Sequence, residues 1–228
     1  MIVDMISDLH GYYPELEGGD LLIICGDLTA QDTLLQHGKF IQWLSEQKYR
    51  KKIFIGGNHD NWLDKTKPYK LVHDPSMEYL FDSGTKFEGF KIWGSPWTKT
   101  FEGMNPECKA FTYDTEEELA AKWALIPDDV DILITHSPPK AILDWNRQGL
   151  QCGSSSLLEK SRKLKNLKLF VFGHIHEAYS MINIHEIQKN TGIVSSQNNP
   201  PDSLPIIVNC SHVNEHYEPV NQPIRVIL

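Results

Sequence analysis

The stretch Ile53-Phe54-Ile55-Gly56-Gly57-Asn58-His59-Asp60 carries a short apolar run into two glycines and then into side chains that bind metals or protons. An apolar run of this length bounded by Gly reads as a buried strand. Four further stretches repeat the design: Met5-Ile6-Ser7-Asp8-Leu9-His10, Leu22-Ile23-Ile24-Cys25-Gly26-Asp27, Ile132-Leu133-Ile134-Thr135-His136 and Phe170-Val171-Phe172-Gly173-His174-Ile175-His176. In open α/β sheets, chemistry gathers beyond the carboxyl ends of the strands. With those ends side by side, Asp8, His10, Asp27, Asn58, His136, His174 and His176 converge on one crevice, and they suffice for two metal ions.

Outward from these runs the chain alternates. Strands are expected at 2–6, Leu21–Cys25 and Lys52–Ile55, with a helix at Thr33–Gln47 whose Leu34, Leu35, Phe40, Ile41, Trp43 and Leu44 form an apolar stripe. Extended pieces at Glu78–Phe81 and Lys86–Trp93 flank a turn signal, Asp82-Ser83-Gly84. A helix at Thr115–Leu125 opens on a Thr cap and an acidic first turn. Then come a strand at Asp131–Thr135, a helix at Ser154–Lys163 and a strand at Lys168–Phe172. The tail reads as extended at Tyr179–Ile184, Gly192–Ser195, Ile206–Cys210 and Ile224–Leu228, with turns at Asn199-Pro200-Pro201 and Gln222-Pro223. This order predicts an α/β fold of two packed sheets flanked by helices. No repeat, low-complexity tract or linker divides the chain, so 1–228 reads as a single domain.

Composition narrows the class. The 228 residues bury a core without disulfides, and no apolar run is long enough to span a bilayer. The first strand starts at the first residues, which leaves no room for a signal peptide, and cytoplasm is the expected compartment. Cys25, Cys108, Cys152 and Cys210 are scattered and read as reduced thiols. A net charge of −8 disfavours a stable nucleic-acid partner or an anionic membrane. The basic residues Lys160, Arg162, Lys163, Lys165 and Lys168 read as a solvated face.

Oxygen and imidazole ligands without thiolate favour a hard-to-borderline divalent ion. Residues two apart on an extended segment share a face, so Asp8 with His10, and His174 with His176, can each address one site. Gly26 permits a sharp turn ahead of Asp27, whose two oxygens make it the natural bridge. Asn58 adds a neutral oxygen and leaves the site positive enough for a phosphate. Two ions about 3.5–4 Å apart can hold a bridging hydroxide as nucleophile. His59 is the expected general acid, with Asp60 as its orienting partner. His37, His73, His185 and His216 read as structural or surface residues.

In this order, Asp-x-His, Gly-Asp, Gly-Asn-His-Asp, a lone His and Gly-His-x-His resemble the calcineurin-like metallophosphoesterase superfamily. The resemblance implies a four-layer α/β/β/α sandwich of two mixed sheets. It also implies that one ion is held by Asp8, His10, Asp27 and His176, and the other by Asp27, Asn58, His136 and His174. Mn²⁺ is the first expectation, with Fe, Zn, Ni or Mg as alternatives. Trp93-Gly94-Ser95-Pro96-Trp97-Thr98, Asp131 to Pro139, Phe172 to Glu177 and Asn209-Cys210-Ser211 resemble the metallophosphoesterase-domain-containing branch. That branch is associated with phosphodiester hydrolysis, including that of cyclic nucleotides.

Phosphoprotein phosphatases of the superfamily follow Gly-Asp with Asp-Arg-Gly; here the chain reads Gly26-Asp27-Leu28-Thr29-Ala30, and none of Arg50, Arg147, Arg162 and Arg225 lies in a motif. Small phosphodiesters or nucleotides are therefore the expected substrates. A phosphomonoesterase, a nuclease and a non-catalytic nucleotide- or partner-binding protein are the rivals. Asn58 and His59 are expected to touch substrate. Trp62, Trp93 and Trp97 are candidates to stack a base, with core packing as the competing reading, favoured for Trp93. Asn209 and Ser211 are candidates to contact substrate or to support the last histidines.

Overall fold

A strand buried on both faces needs apolar residues at successive positions, and the strands here use both faces. The computed structural model describes residues 1–66, 74–101, 105–182 and 205–228. Its elements begin with β1 (Ile2–Ile6), β2 (Gly19–Ile24), α1 (Leu34–Glu46), β3 (Tyr49–Phe54), α2 (Asn61–Thr66) and β4 (Met77–Tyr79). There follow β5 (Ser83–Phe87), β6 (Phe90–Ser95), β7 (Thr98–Lys99), β8 (Thr112–Tyr113), α3 (Glu116–Trp123) and β9 (Ile132–Thr135). The remainder is α4 (Ser155–Ser161), β10 (Leu169–Phe172), β11 (Ser180–Ile182), β12 (Ile206–Asn209) and β13 (Ile224–Ile227).

Two mixed sheets result. The first has the order β13-β1-β2-β3-β4, parallel except for the edge strand β13. The second has the order β11-β12-β10-β9-β6-β5, with a parallel centre and antiparallel strands at both edges. Side-chain alternation assigns the layers. Met5, Ile23, Ile53, Ile134, Val171 and Val208 belong to one core cluster, between the sheets. Their neighbours Ile6, Ile24, Phe54, Leu133, Phe170 and Phe172 join a second cluster with Phe40, Trp43 and Leu44 of α1, Leu119 and Trp123 of α3 and Leu157 of α4. Each fully buried Ile, Leu or Phe contributes about 1.5–3 kcal/mol. No helix among the described residues is long and apolar enough to cross a membrane.

Local chemistry explains the element ends. Thr33 caps α1 by accepting from the Gln36 amide at 3.3 Å, and Thr115 with Glu118 forms a reciprocal capping box on α3. One expectation is corrected. Lys86–Trp93 is not a single extended piece: β5 turns back into β6 at Glu88 and Gly89, both left-handed (φ 49° and 84°), a two-residue hairpin that opposes Lys86 to Lys91. The tail divides between the sheets, with β11 and β12 extending the second and β13 closing an edge of the first. The expected strand at Gly192–Ser195, the turn at Asn199-Pro200-Pro201, His73 and His185 lie outside the described residues. All four cysteines are free thiols.

Candidate metal centre

Parallel strands that end at one rim deliver their following residues to one place. Asp8 and His10 follow β1, Asp27 follows β2, Asn58 and His59 follow β3, His136 follows β9, and His174 and His176 follow β10. The two rims are stitched together there: the Ser7 amide donates to the Cys210 carbonyl at 2.9 Å and the His212 amide to the Ser7 carbonyl at 2.8 Å. Asp8, His10, Asp27 and His174 all take left-handed backbone, with φ of 52°, 43°, 52° and 69°. The Asp-x-His spacing thus meets at one site through a tight kink, and not along the extended segment expected from sequence. Left-handed geometry costs about 1–2 kcal/mol per non-Gly residue, so the centre stores strain that the core offsets. Gly26 (φ 99°) sits beside the opposing Gly56, where an added Cβ would lie 2.6 Å from the Gly56 carbonyl oxygen. At Gly173 an added Cβ would overlap the Asp8 carboxylate.

The side chains converge. His176 Nε2 lies 3.4 Å from Asp8 Oδ1, His10 Nε2 3.6 Å from Asp27 Oδ2, and His136 Nε2 3.5 Å from Asp27 Oδ1. Asp8, His10 and His176 each bring one ligand atom within 4.8 Å of the others, as do Asp8, Asp27 and His136. His174 sets its ring at 59° to that of His136, with centroids 4.9 Å apart.

Two observations fit a cation. His10 Nε2 is buried with no hydrogen-bond partner among the described residues. His136 faces an oxygen acceptor on each ring nitrogen, the Cys25 carbonyl at 2.8 Å from Nδ1 and Asn58 Oδ1 at 2.9 Å from Nε2. A neutral imidazole has one N–H for these two acceptors, and a cation beside Nε2 and Oδ1 satisfies both lone pairs. The Cys25 contact fixes the proton on Nδ1, and the Asn214 carbonyl, 3.1 Å from His176 Nδ1, does the same there.

Electrostatics divide the histidines. Burial alone would push the Asp8 carboxyl up, yet the hydrogen bond and charge of His176, then His136 and His10, hold it well below the usual range. Burial also opposes ionisation of Asp27, and His136, His59 and His10 outweigh it, so its carboxyl is lowered. Burial takes His10 down to about 4 despite Asp27 and Asp8, and takes His174 down to about 3 with His136 adding to it. His176 goes the other way: burial opposes it, but Asp8 raises it above the ordinary value.

One expected role is corrected, and for Trp97 and Asn209 the packing favours one of the two alternatives. Asp60 does not orient His59. It is fully buried, and its carboxylate accepts from the Gly57 amide at 2.8 Å and the Leu28 amide at 3.1 Å. It thereby ties the loop after β3 to the loop after β2. Trp97 is core: it is 7% exposed, its Nε1 donates to Asp82 at 2.8 Å, and Lys122 Nζ lies 4.1 Å from the ring centroid. Asn209 is fully buried and donates to the Ile175 carbonyl at 2.9 Å, so it supports the His174–His176 loop and does not face substrate. Trp93 packs against the core, and Trp62 lines an apolar cavity of about 210 Å³ beside α1 together with His37. His37 is buried and bonded to Asp32 at 2.8 Å, and His216 is at the surface beside Arg147.

Ser211, a candidate from sequence to contact substrate or support the last histidines, braces Asp8 instead, and sequence reasoning missed Tyr217 and Cys108. Ser211 Oγ donates to Asp8 Oδ2 at 2.8 Å, and the His174 amide donates to the same carboxylate at 3.0 Å. Tyr217 sets its ring edge-on to His10 (4.8 Å) and His176 (5.3 Å). Cys108 Sγ lies 3.3 Å from His59 Nδ1. Burial, then Asp27, Glu107 and Asp32, push that thiol up, so it keeps its proton. Tyr217 and Cys108 come from loops with no motif of their own. Two clefts open at the centre, of about 850 and 920 Å³, and both are lined by His59 and Tyr217. The first is also lined by Tyr12, Asn61, Lys65 and Cys108; the second also by Lys99, Lys140, Asn146 and Gln151.

A doubly packed α/β fold with carboxylates, an amide and imidazoles gathered at one rim defines a class of metal-dependent phosphoesterases. The family model described as Calcineurin-like phosphoesterase matches residues 1–178, and the chain belongs to that family. The chain is 33% identical to human and to mouse metallophosphoesterase domain-containing protein 1, over 98% of this chain and 69% of each relative. A solved crystal structure only 13% identical shares the fold, with a TM-score of 0.61 over 99% of this chain and 98% of that one.

Proposed function

We propose that the chain hydrolyses small phosphodiesters at two divalent cations, with nucleotides, cyclic ones among them, as the first substrates to examine. The observation that carries this reading is the pair of clefts that meet at His59 and Tyr217. A diester has two organic arms, and each cleft accommodates one while phosphorus sits between them.

Asp8, His10, Asp27 and His176 would hold one cation, and Asp27, Asn58, His136 and His174 the other. Bound there, the cations, Mn²⁺ first, supply Lewis acidity to phosphate oxygens and a water acidic enough to serve as nucleophile near neutral pH. His59 Nε2 faces the centre, 3.9 Å from Asp27 Oδ2, and its backbone amide donates to Asp27 Oδ1 at 2.9 Å. From that position the ring donates its Nε2 proton to the departing ester oxygen. Tyr217 stands where the two clefts meet. No arginine lines either cleft among the described residues. That favours a singly charged diester over the dianion of a monoester, which a guanidinium fork would clamp.

The test uses chelated protein reloaded with Mn²⁺ and compares bis-p-nitrophenyl phosphate with p-nitrophenyl phosphate. The expected result is at least about tenfold higher kcat/KM for the diester, a difference of about 1.4 kcal/mol in transition-state binding. Preference for the monoester would replace this reading with a phosphomonoesterase. Metal-loaded protein silent on both, and on cyclic nucleotides, would favour a non-catalytic binding role.

A further inference from the structure

The turn that carries Asn58 and His59 is clasped by a loop about fifty residues downstream. Asn58 Nδ2 donates to the Cys108 carbonyl at 3.2 Å, the Ala110 amide donates to the Asn58 carbonyl at 3.1 Å, and Asn61 Nδ2 donates to the Glu107 carbonyl at 2.5 Å. Cys108 Sγ completes the clasp, 3.3 Å from His59 Nδ1. One residue therefore addresses both the amide ligand candidate and the proton donor. Its carbonyl holds the Asn58 NH₂ group, which turns Oδ1 towards His136. Its sulfur meets the ring nitrogen of His59 that points away from the centre.

The two nitrogens of His59 face different surroundings. Nε2 looks towards Asp27 and the crevice, and Nδ1 looks at sulfur. For the ring to protonate a leaving oxygen, the proton on Nε2 must be the one that departs, and the proton on Nδ1 must stay. An acceptor at Nδ1 enforces that order. Asp60, next in sequence, is engaged by the Gly57 and Leu28 amides and does not supply it.

We propose that Cys108 is the positioning residue of His59: the thiol sulfur accepts from Nδ1–H, holding the ring so that Nε2 delivers its proton to the ester oxygen. The step balances simply. The P–O bond to the leaving group breaks, the leaving oxygen takes the Nε2 proton, and His59 is left neutral with its proton on Nδ1, against sulfur. A thiol is a weaker acceptor than a carboxylate, and it serves because the backbone is also held by the His59 amide bond to Asp27 and the ring by its edge contact with His10, 4.7 Å between centroids. This inference rests on the reading of His59 as proton donor.

The experiment has two readouts, one of which is independent of turnover. In Zn²⁺-loaded protein, long-range ¹H–¹⁵N spectra of His59, assigned with His59→Asn, should show the neutral ring with its proton on Nδ1. In Cys108→Ala the proton should move largely to Nε2, as in a free histidine side chain, and Cys108→Ser should retain it on Nδ1. In the Mn²⁺ enzyme, Cys108→Ala should lose about tenfold in kcat on diphenyl phosphate, a poor leaving group. It should stay within about twofold on bis-p-nitrophenyl phosphate, whose leaving group needs little acid assistance. Cys108→Ser should recover most of the loss, with metal content unchanged in both variants. Equal losses on both diesters, or an unchanged tautomer in Cys108→Ala, would overturn the proposal. Wild-type protein inactive on both diesters would remove the diesterase reading, and the tautomer spectra would still decide the role of Cys108.

Discussion

The rims of the two sheets bring different chemistry to the same crevice. The first sheet contributes the acidic side, Asp8 and Asp27, together with the Asn58 amide, His10 and His59. The second contributes His136, His174 and His176, and no carboxylate. Asp8 and Asp27 are 0% and 1% exposed, and burying each alone would cost several kcal/mol. What compensates Asp8 comes from the other sheet: the Ser211 hydroxyl, the His174 amide and the His176 ring. Asp27 draws on both sides, through the His59 amide and the His136 and His10 rings. The centre is therefore complete only when the sheets dock, and the docking is stable only when the carboxylates meet their donors.

The largest effect belongs to the residue facing both sides. Asp27→Ala should reduce bound metal and abolish turnover together, a loss of at least about 10³-fold in kcat. Loss of turnover with full metal content would show that Asp27 is not the shared ligand. A smaller effect should follow removal of one cross-sheet donor. Ser211→Ala leaves one oxygen of the buried Asp8 short of a partner, and should lower the stability of metal-free protein by about 1–3 kcal/mol in urea unfolding. The penalty should shrink once metal is bound, and an equal penalty in both states would mean that Ser211 acts only in packing.

The smallest effect separates the histidines. His10, at about 4, and His174, at about 3, are already neutral near pH 7. His176 is raised by Asp8, and must release a proton to become a ligand. Proton and metal thus compete at His176, and affinity falls as pH drops. Calorimetric titration from about pH 7.5 to 6 should show affinity falling as the pH drops, with a slope below about two log units per pH unit. A slope near three would mean that His10 and His174 titrate in that range as well.

Much of this centre was legible because each candidate ligand sits at the end of its own apolar run, where local pattern and position in the fold agree. Asp8, Asp27, Asn58, His136 and His176 could be read this way. The left-handed backbone at Asp8, His10, Asp27 and His174 could not, since none of the four is a glycine. The partner of His59 was misread for a related reason. Adjacency favoured Asp60, but the chain turns its carboxylate into the loop after β2, and the sulfur that meets His59 lies 49 residues away. Trp97 was ambiguous because an indole suits a core and a binding wall equally, and only the packing against Asp82 and Lys122 decides. Ser211 and Tyr217 reach the centre from loops after β12, joined to it by tertiary contacts alone.

If the two rims together hold two cations, metal stoichiometry shows it most directly. Chelated wild-type protein, reloaded with Mn²⁺ and freed of excess ion, should contain two equivalents per chain by elemental mass spectrometry. Saturation at one equivalent or fewer would contradict a dinuclear centre spanning the sheets.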